Sequence, residues 1–206
     1  MCNQPKTASG RSQARVATAP HSAFWPLLFG LATASLTLLV FWPSLSNGFV
    51  NWDDPGLILE NIHIRKLDWQ NVQWMFTSFY MGPYQPLAWL SLALDYSVWG
   101  LAPRGYHLTS LFWHTASAVS FYVLSRRLLR LSIPKSSEQP ILLEASAALS
   151  AVVFAVHPLR VESTVWISEG RVSLTKFFGI WAVLTYLRSA QAKDTGRPST
   201  MWFLVS

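Results

Sequence analysis

The run "FWPLLFGLATASLTLLVFWP", residues 24–43, contains no charged residue and decides the class of fold. A helix needs about 20 consecutive apolar residues to cross the hydrocarbon core of a bilayer, so this run predicts a transmembrane helix. A signal peptide would also have a basic flank, but its apolar core is usually only about 7–15 residues long. Because no A-x-A cleavage site follows either, we interpret the run as an uncleaved membrane anchor.

The composition of the whole chain agrees with a lipid environment. Only 13% of the 206 residues are charged, 51% are hydrophobic and 11 are tryptophan. A soluble domain usually carries about 25% charged residues. The net charge of +6 is not arranged in a basic stripe with interleaved aromatic residues, so we expect no nucleic-acid partner. The single cysteine, Cys2, excludes a disulfide framework and a zinc finger.

Further apolar runs define the predicted architecture. Membrane helices are expected at 106–125, 141–157 and 172–187, and a fifth begins at 200–206. The chain stops inside that last run, so a truncated chain is expected. We predict an all-α polytopic transmembrane helix bundle with four spans plus the start of a fifth. The domains are a disordered cytoplasmic tail at 1–23 and a partial membrane domain at 24–206.

The segment between the first two spans, 44–105, is long and aromatic. The stretch 67–80 has apolar residues at roughly helical spacing, and 84–100 is an apolar run interrupted by Asp95; Pro83 and Pro86 separate the two. They predict one or two helices that lie in the membrane interface. The alternative is that 84–100 itself crosses the membrane and inverts the topology of everything after it. The distribution of charge disfavours this alternative.

Charge assigns the two sides of the membrane. The tail and the loops 126–140 and 188–199 hold ten of the sixteen lysines and arginines and, together with Glu144 in the adjoining span, carry three acids. The opposite segments hold six basic and seven acidic residues. Because an excess of Lys and Arg marks the cytoplasmic side, the amino terminus is predicted to be cytoplasmic and the loop 44–105 to lie outside.

Two adjacent acids, Asp53 and Asp54, follow the first span in "FVNWDDPGLILENI", residues 49–62. A carboxylate at the membrane surface can act as general base toward an acceptor hydroxyl, or help to hold a divalent cation beside a phosphate leaving group. The structural alternative is an aspartate that caps the turn that "DDPG" favours. Asp53 and Asp54 are the candidate catalytic residues, and no metal site is predicted.

A second polar group occupies "HPLRVESTVWISEGR", residues 157–171. Its candidate substrate-binding residues are His157, Arg160, Glu162 and Arg171. Mutual pairing of Arg160 with Glu162 is the alternative for those two, and a helix-end role is the alternative for His157.

Three more polar positions lie within or beside apolar runs. Lys176 can bind phosphate or extend to the interface. Asp95 has Arg104 as a candidate partner. His107 and His114, which share a helical face without a third ligand, are interpreted as packing residues.

Three stretches, "GFVNWDDP", "PYQPLAWLSLALDYSVWGLAPRGYHLTSLFWHTASA" and "ALSAVVFAVHPLRVESTVWISE", resemble the amino-terminal membrane region of the transmembrane and tetratricopeptide repeat (TMTC) proteins. These belong to the GT-C class of multi-span glycosyltransferases. The resemblance runs from about residue 24 to 187. It implies an O-mannosyltransferase-like enzyme that moves a sugar from a polyprenyl- or dolichyl-phosphate carrier to a protein or lipid acceptor on the non-cytoplasmic side.

By the same resemblance, Asp53 or Asp54 would be the catalytic base, and Glu162 would lie where related enzymes place another acid. The chain departs from the family at Gln85, where relatives have arginine, and at Ser173, where they tend to have an acid. These departures suit the alternative function, a non-catalytic membrane scaffold of the same fold.

Three expectations concern the protein as a whole. A transporter is disfavoured because the acids gather at the outer edge instead of the membrane midplane. A location in a bacterial inner membrane is predicted in preference to one in the endoplasmic reticulum. The chain by itself, without further spans, is expected to be inactive.

Overall fold

The computed structural model describes residues 24–194, and within that range the regular secondary structure is all helical. Its α-helices are α1 (Phe24–Phe41), α2 (Trp69–Thr77), α3 (Pro86–Trp99), α4 (Pro103–Ser132), α5 (Pro140–Val156), α6 (Arg160–Val165) and α7 (Gly170–Asp194). Short 3-10 segments lie at Trp42–Ser46, Ile62–Ile64, Pro134–Glu138 and Ile167–Glu169, and a π-helical turn lies at Pro55–Leu59.

Local sequence signals explain where several helices begin. Helices α3, α4 and α5 start at proline, which has no amide hydrogen to satisfy and has its φ angle already fixed for a first helical turn. Helix α2 is capped by Asp68, whose side chain accepts a hydrogen bond from the Asn71 amide at 2.9 Å. Helix α3 is followed by Gly100, where a φ of +59° favours glycine.

Helix α4 is the centre of the bundle and packs against α1, α5 and α7. The inward faces are made largely of small or weakly polar residues: Thr33, Thr37, Ser117, Ala118, Ala147, Ala151 and Ser173. The outward faces carry large apolar residues: Leu27, Leu31, Leu39, Phe112, Leu149, Val153, Phe178 and Val183. Small residues at helix contacts let the backbones approach closely, as in membrane helix packing.

One end of the bundle, which we call the capped end, is covered by the segment 42–99 together with α6. Its core is the cluster Leu57, Ile58, Ile64, Met75, Trp89, Ala93, Tyr106 and Ile167. The cluster joins the first loop to the amino end of α4 and to the 3-10 segment before α7. The long connection is therefore a packed layer that fixes the loops at this end.

The opposite end, which we call the arginine end, is held by a buried carboxylate. Glu144 is 1% exposed and accepts hydrogen bonds from Arg126 Nε at 2.6 Å and Arg130 Nη2 at 3.4 Å. The Tyr122 hydroxyl donates to the same carboxylate. Such a buried acid depends on its partners, because removing one of them would leave an uncompensated charge.

The all-α class is confirmed, and each of the four predicted spans contains a helix, with α4 and α7 longer than predicted. Helices α2 and α3 lie within the two segments predicted to be interfacial. In the described part of the chain one helical stretch, Phe24–Ser46, is long and apolar enough to cross a membrane by length and composition. The four-span topology remains a prediction. The predicted tail at 1–23 and the start of a fifth span at 200–206 lie outside the described residues.

Candidate active site

The carboxylate of Asp54 joins the two loops at the capped end. Asp54 is completely buried, and its Oδ2 accepts a hydrogen bond from the Val50 amide at 2.7 Å. Its Oδ1 accepts from the Ser168 hydroxyl at 2.6 Å and from the Ser168 amide at 3.2 Å. Asp54 and Ser168 are 114 residues apart in the sequence. We call these contacts the Asp54–Ser168 latch.

Asp53 has the opposite environment, although it is the adjacent residue. It lies in the turn before Pro55, and its backbone carbonyl accepts a hydrogen bond from the Leu57 amide at 2.9 Å. Its side chain is partly exposed and makes no hydrogen bond or ion pair within residues 24–194. The turn-capping alternative is wrong for Asp54, whose side chain caps nothing. Of the two acids, Asp53 is the one with a carboxylate available to a substrate.

An open groove of about 450 Å³ runs beside this turn. One wall contains Trp52, the neighbour of Asp53, and the other wall contains Glu162 from α6. The remaining lining is mostly apolar: Asn47, Gly48, Val50, Val161, Val165 and Trp166. Its volume is in the range of small-molecule sites, and a mostly apolar wall with one acid suits an amphipathic ligand.

Arg171 also lies at the capped end, but its charge already has a partner. Its Nη2 donates to Glu169 Oε1 at 2.6 Å, and its Nη1 is 3.5 Å from Gln85 Oε1. Gln85, which departs from the family pattern, therefore lies beside Arg171 of the second loop. Ser173, the other departure, is fully buried, and its hydroxyl donates to the Ser163 carbonyl at 2.8 Å.

Asp95 faces a small cavity of about 30 Å³ that has room for a single water molecule and is also lined by Gln85, Ser168 and Arg171. The predicted pairing with Arg104 is wrong, because Asp95 Oδ1 accepts its hydrogen bond from the Thr109 hydroxyl at 2.5 Å. Burial raises the pKa of Asp95 to about 6, and the hydrogen bond from Thr109 opposes part of that rise.

The remaining polar residues of the second loop do not pair as the sequence suggests. The guanidinium of Arg160 lies 4.7 Å from the centre of the Phe154 ring, and within residues 24–194 it forms no ion pair with Glu162. His157 is exposed at the end of α5, and its Nδ1 accepts a hydrogen bond from the Leu159 amide at 3.3 Å. Their predicted role in substrate binding remains a prediction.

Sequence reasoning missed Ser168 and Thr109, which hold the two buried aspartates. The sequence around Ser168 and around Thr109 contains no motif that indicates a distant carboxylate as the partner of the hydroxyl. Within the described part of the chain, no three His, Cys, Asp or Glu side chains are placed together to hold a metal ion.

The fold and these loops define a helical bundle with an available acid and an open groove at one end. Comparison of the sequence with those of known proteins identifies similar proteins. The chain is 29% identical to human protein O-mannosyl-transferase TMTC3 over 171 residues, which are 79% of this chain and 17% of that protein. It is 31% identical to Drosophila melanogaster protein O-mannosyl-transferase Tmtc1 over 179 residues, or 82% of this chain and 19% of that protein.

Human protein O-mannosyl-transferase TMTC4 matches over more of the chain, with 24% identity across 199 residues, 91% of this chain and 27% of the relative. The resemblance to the TMTC family is therefore confirmed. The chain spans between about a sixth and a quarter of the length of these relatives. No family model and no solved structure matches the chain.

Proposed function

We propose that the protein is an integral-membrane glycosyltransferase that moves a mannose-type sugar from a lipid-phosphate carrier to a hydroxyl on a protein acceptor. The observation that carries this proposal is that Asp53, whose carboxylate has no partner within residues 24–194, is the sequence neighbour of Trp52, which lines the open groove together with Glu162. The protein O-mannosyl-transferases to which the chain is similar supply the sugar and the class of acceptor.

The bundle supports the membrane part of the proposal. Many large apolar side chains are exposed on its surface, and many of its buried residues are small, the arrangement expected when lipid is the solvent. In this proposal α1, α4, α5 and α7 cross the membrane. Arg126, Arg127 and Arg130 lie at the arginine end, which the excess of positive charge assigns to the cytoplasm. The capped end then faces the non-cytoplasmic side. A bacterial inner membrane stays a prediction.

The chemistry follows from the state of the two acids. The acceptor hydroxyl gives its proton to the Asp53 carboxylate as its oxygen attacks the anomeric carbon of the sugar. The bond from that carbon to the carrier phosphate breaks, and the phosphate leaves with the electron pair. Asp54 is the weaker candidate for the base because three donors already occupy its two oxygens. General base catalysis contributes about 10²- to 10⁴-fold in rate.

A non-catalytic scaffold is the second candidate, and the environment of Gln85 favours it. An arginine at this position would put a second cation where Arg171 already lies, so the glutamine removes a charge from the site. A scaffold would need the latch and the groove but not a free carboxylate at Asp53.

The test uses the product of the complete gene in membranes, with a radiolabelled polyprenyl-phosphate mannose and a protein acceptor. Asp53→Asn is expected to lower the transfer rate by 10²- to 10⁴-fold. Glu60→Gln is the matched control, because Glu60 is an exposed acid in the same loop whose side chain makes no hydrogen bond or ion pair within residues 24–194. Transfer that Asp53→Asn leaves unchanged would exclude Asp53 as the base. No transfer by a correctly inserted wild type would favour the scaffold.

A further inference from the structure

Two basic residues from different helices, Arg160 and Lys176, lie near the junction of α6 and α7, close enough for their charges to repel each other. Arg160 is the first residue of α6, and Ser163 lies one turn later. The Ser163 hydroxyl donates to the Arg160 carbonyl at 3.3 Å and accepts a hydrogen bond from Lys176 Nζ at 2.9 Å. The lysine therefore points into the α6–α7 junction instead of extending to the interface, and its partner Ser163 is one helical turn from Arg160.

Neither cation has an acidic partner in the described part of the chain. The ion pairs there join Arg126 and Arg130 to Glu144, and Arg171 to Glu169. Arg160 instead lies over a phenylalanine ring, and its Nε is buried without a hydrogen-bond partner. Lys176 has a neutral hydroxyl as its partner. Arg171, in the same loop, shows how an arginine is neutralised when an acid is available.

The surrounding groups do not supply a negative charge either. The Thr164 hydroxyl, on α6 beside Ser163, is fully buried and has no hydrogen-bond partner. The His114 ring is fully buried, with its Nε2 bonded to the Ala155 carbonyl at 3.0 Å and its Nδ1 without a partner. A charge beside hydrocarbon is costly unless it is paired or hydrated, and two like charges repel each other. A bound anion would offset both costs.

We propose that Arg160 and Lys176 bind the phosphate group of a membrane lipid. A guanidinium and an ammonium are the side chains that bind phosphate oxygens most strongly, the first through a planar fork and the second as a point charge. The Ser163 hydroxyl, which already bonds Lys176, adds a polar group beside the lysine.

A lipid is the expected source of the phosphate because of the position of Lys176. It lies six residues after Gly170 in α7, which is about 9 Å along a helix. It is followed by apolar residues, of which Phe178 is 50% exposed. In the transferase proposed above this phosphate would be that of the sugar carrier, and only this identification rests on the proposed function. Glu162 presents a neighbouring face of α6 to the groove.

The test is a binding measurement on the purified protein in nanodiscs of a zwitterionic lipid. The probes are polyprenyl phosphate, the uncharged polyprenol, phosphatidylglycerol and inorganic phosphate, and bound lipid is counted by native mass spectrometry. Polyprenyl phosphate or phosphatidylglycerol is expected to bind, and polyprenol is not. Arg160→Gln and Lys176→Gln are each expected to weaken binding by at least tenfold. Lys176→Arg keeps the charge and is expected to keep most of the affinity.

Arg104→Gln is the matched control, since it removes one exposed positive charge at the capped end and is expected to leave the affinity within twofold. Three results would overturn the proposal. Polyprenol could bind as tightly as polyprenyl phosphate, or inorganic phosphate could compete as strongly as the lipid. Both glutamine variants could also bind the lipid with the wild-type affinity. If Lys176→Gln fails to fold, Lys176→Met keeps the apolar stem and repeats the measurement.

The two proposals can fail separately. Binding is measured without a sugar or an acceptor, so lipid binding without transfer would retain the anion site and reject the transferase. Transfer that remains unchanged in Arg160→Gln and Lys176→Gln variants that have lost lipid binding would reject the identification of this phosphate with that of the sugar carrier and retain the transferase.

Discussion

Ser168→Ala is the substitution that most directly tests the Asp54–Ser168 latch. It removes the hydroxyl that donates to Asp54 Oδ1 at 2.6 Å and leaves the bonds from the Ser168 and Val50 amides in place. A hydrogen bond to a charged group contributes about 1.5–3 kcal/mol. Ser168 is 5% exposed, so water cannot easily replace the lost donor. We expect the free energy of unfolding to fall by about 1.5–3 kcal/mol.

The measurement is a titration of the protein in mild detergent with a denaturing detergent, followed by the fluorescence of its 11 tryptophans. Ser97→Ala is the control, because Ser97 is exposed and its hydroxyl bonds only the Leu94 carbonyl of its own helix at 2.7 Å. Exposed substitutions of this kind usually change stability by less than about 0.5 kcal/mol. A Ser168→Ala loss no larger than the control loss would refute the latch as a source of stability.

The latch also decides how the acids can be tested. Three donors converge on the two oxygens of Asp54, whereas an asparagine offers one acceptor oxygen and an amide nitrogen that can only donate. Whichever way the amide turns, its nitrogen faces another donor. Asp54→Asn would therefore disturb the loops as well as the charge, and lost activity in that variant would not assign a chemical role. Asp53→Asn is free of this ambiguity.

Two further substitutions test the capped end. Folding raises the pKa of Asp95 from 3.8 to about 6, so the stability that its protonated form contributes is full below pH 3.8 and is lost as the pH rises through 6. In thermal unfolding, the free energy of unfolding of Asp95→Asn should nearly equal that of the wild type at pH 4 and exceed it by up to about 3 kcal/mol at pH 7. A difference between the two proteins that does not change with pH would contradict this. Gly105→Ala would put a Cβ 2.2 Å from Trp99 Cγ and should cost about 1–3 kcal/mol, by chemical unfolding. Its control, Gly179→Ala, meets no heavy atom within 4 Å and should be neutral or slightly stabilising.

The sequence was a good guide to the helices because their signals are local. A run of about 20 apolar residues specifies a long helix wherever it occurs, and a proline at the first helical position marks where α3, α4 and α5 begin. The same locality explains the errors. Arg104 was expected to pair with Asp95 because it is a nearby opposite charge, but the packing of α3 on α4 presents Thr109 to Asp95 instead.

The candidate site was only half visible for the same reason. The adjacent acids marked the first loop, but which of them points inward depends on Ser168, a residue that the sequence places 114 positions away. No pattern around a serine predicts a partner at that distance. The missing pairing of Arg160 was equally invisible, because Glu162 is close in sequence but faces the groove.

The latch also makes the two proposals depend on one piece of structure. Asp53 is adjacent to the buried Asp54, and Ser168 belongs to the same loop as Arg160. The proposed base and one of the proposed phosphate ligands are thus carried by loops that are bonded to each other. For transfer, the distance between the base and the phosphate ligands must fit the size of the sugar, which lies between the acceptor hydroxyl and the carrier phosphate. The buried Asp54 carboxylate, held by three donors, joins the two loops, so they do not move independently. This provides the rigidity that such a match requires.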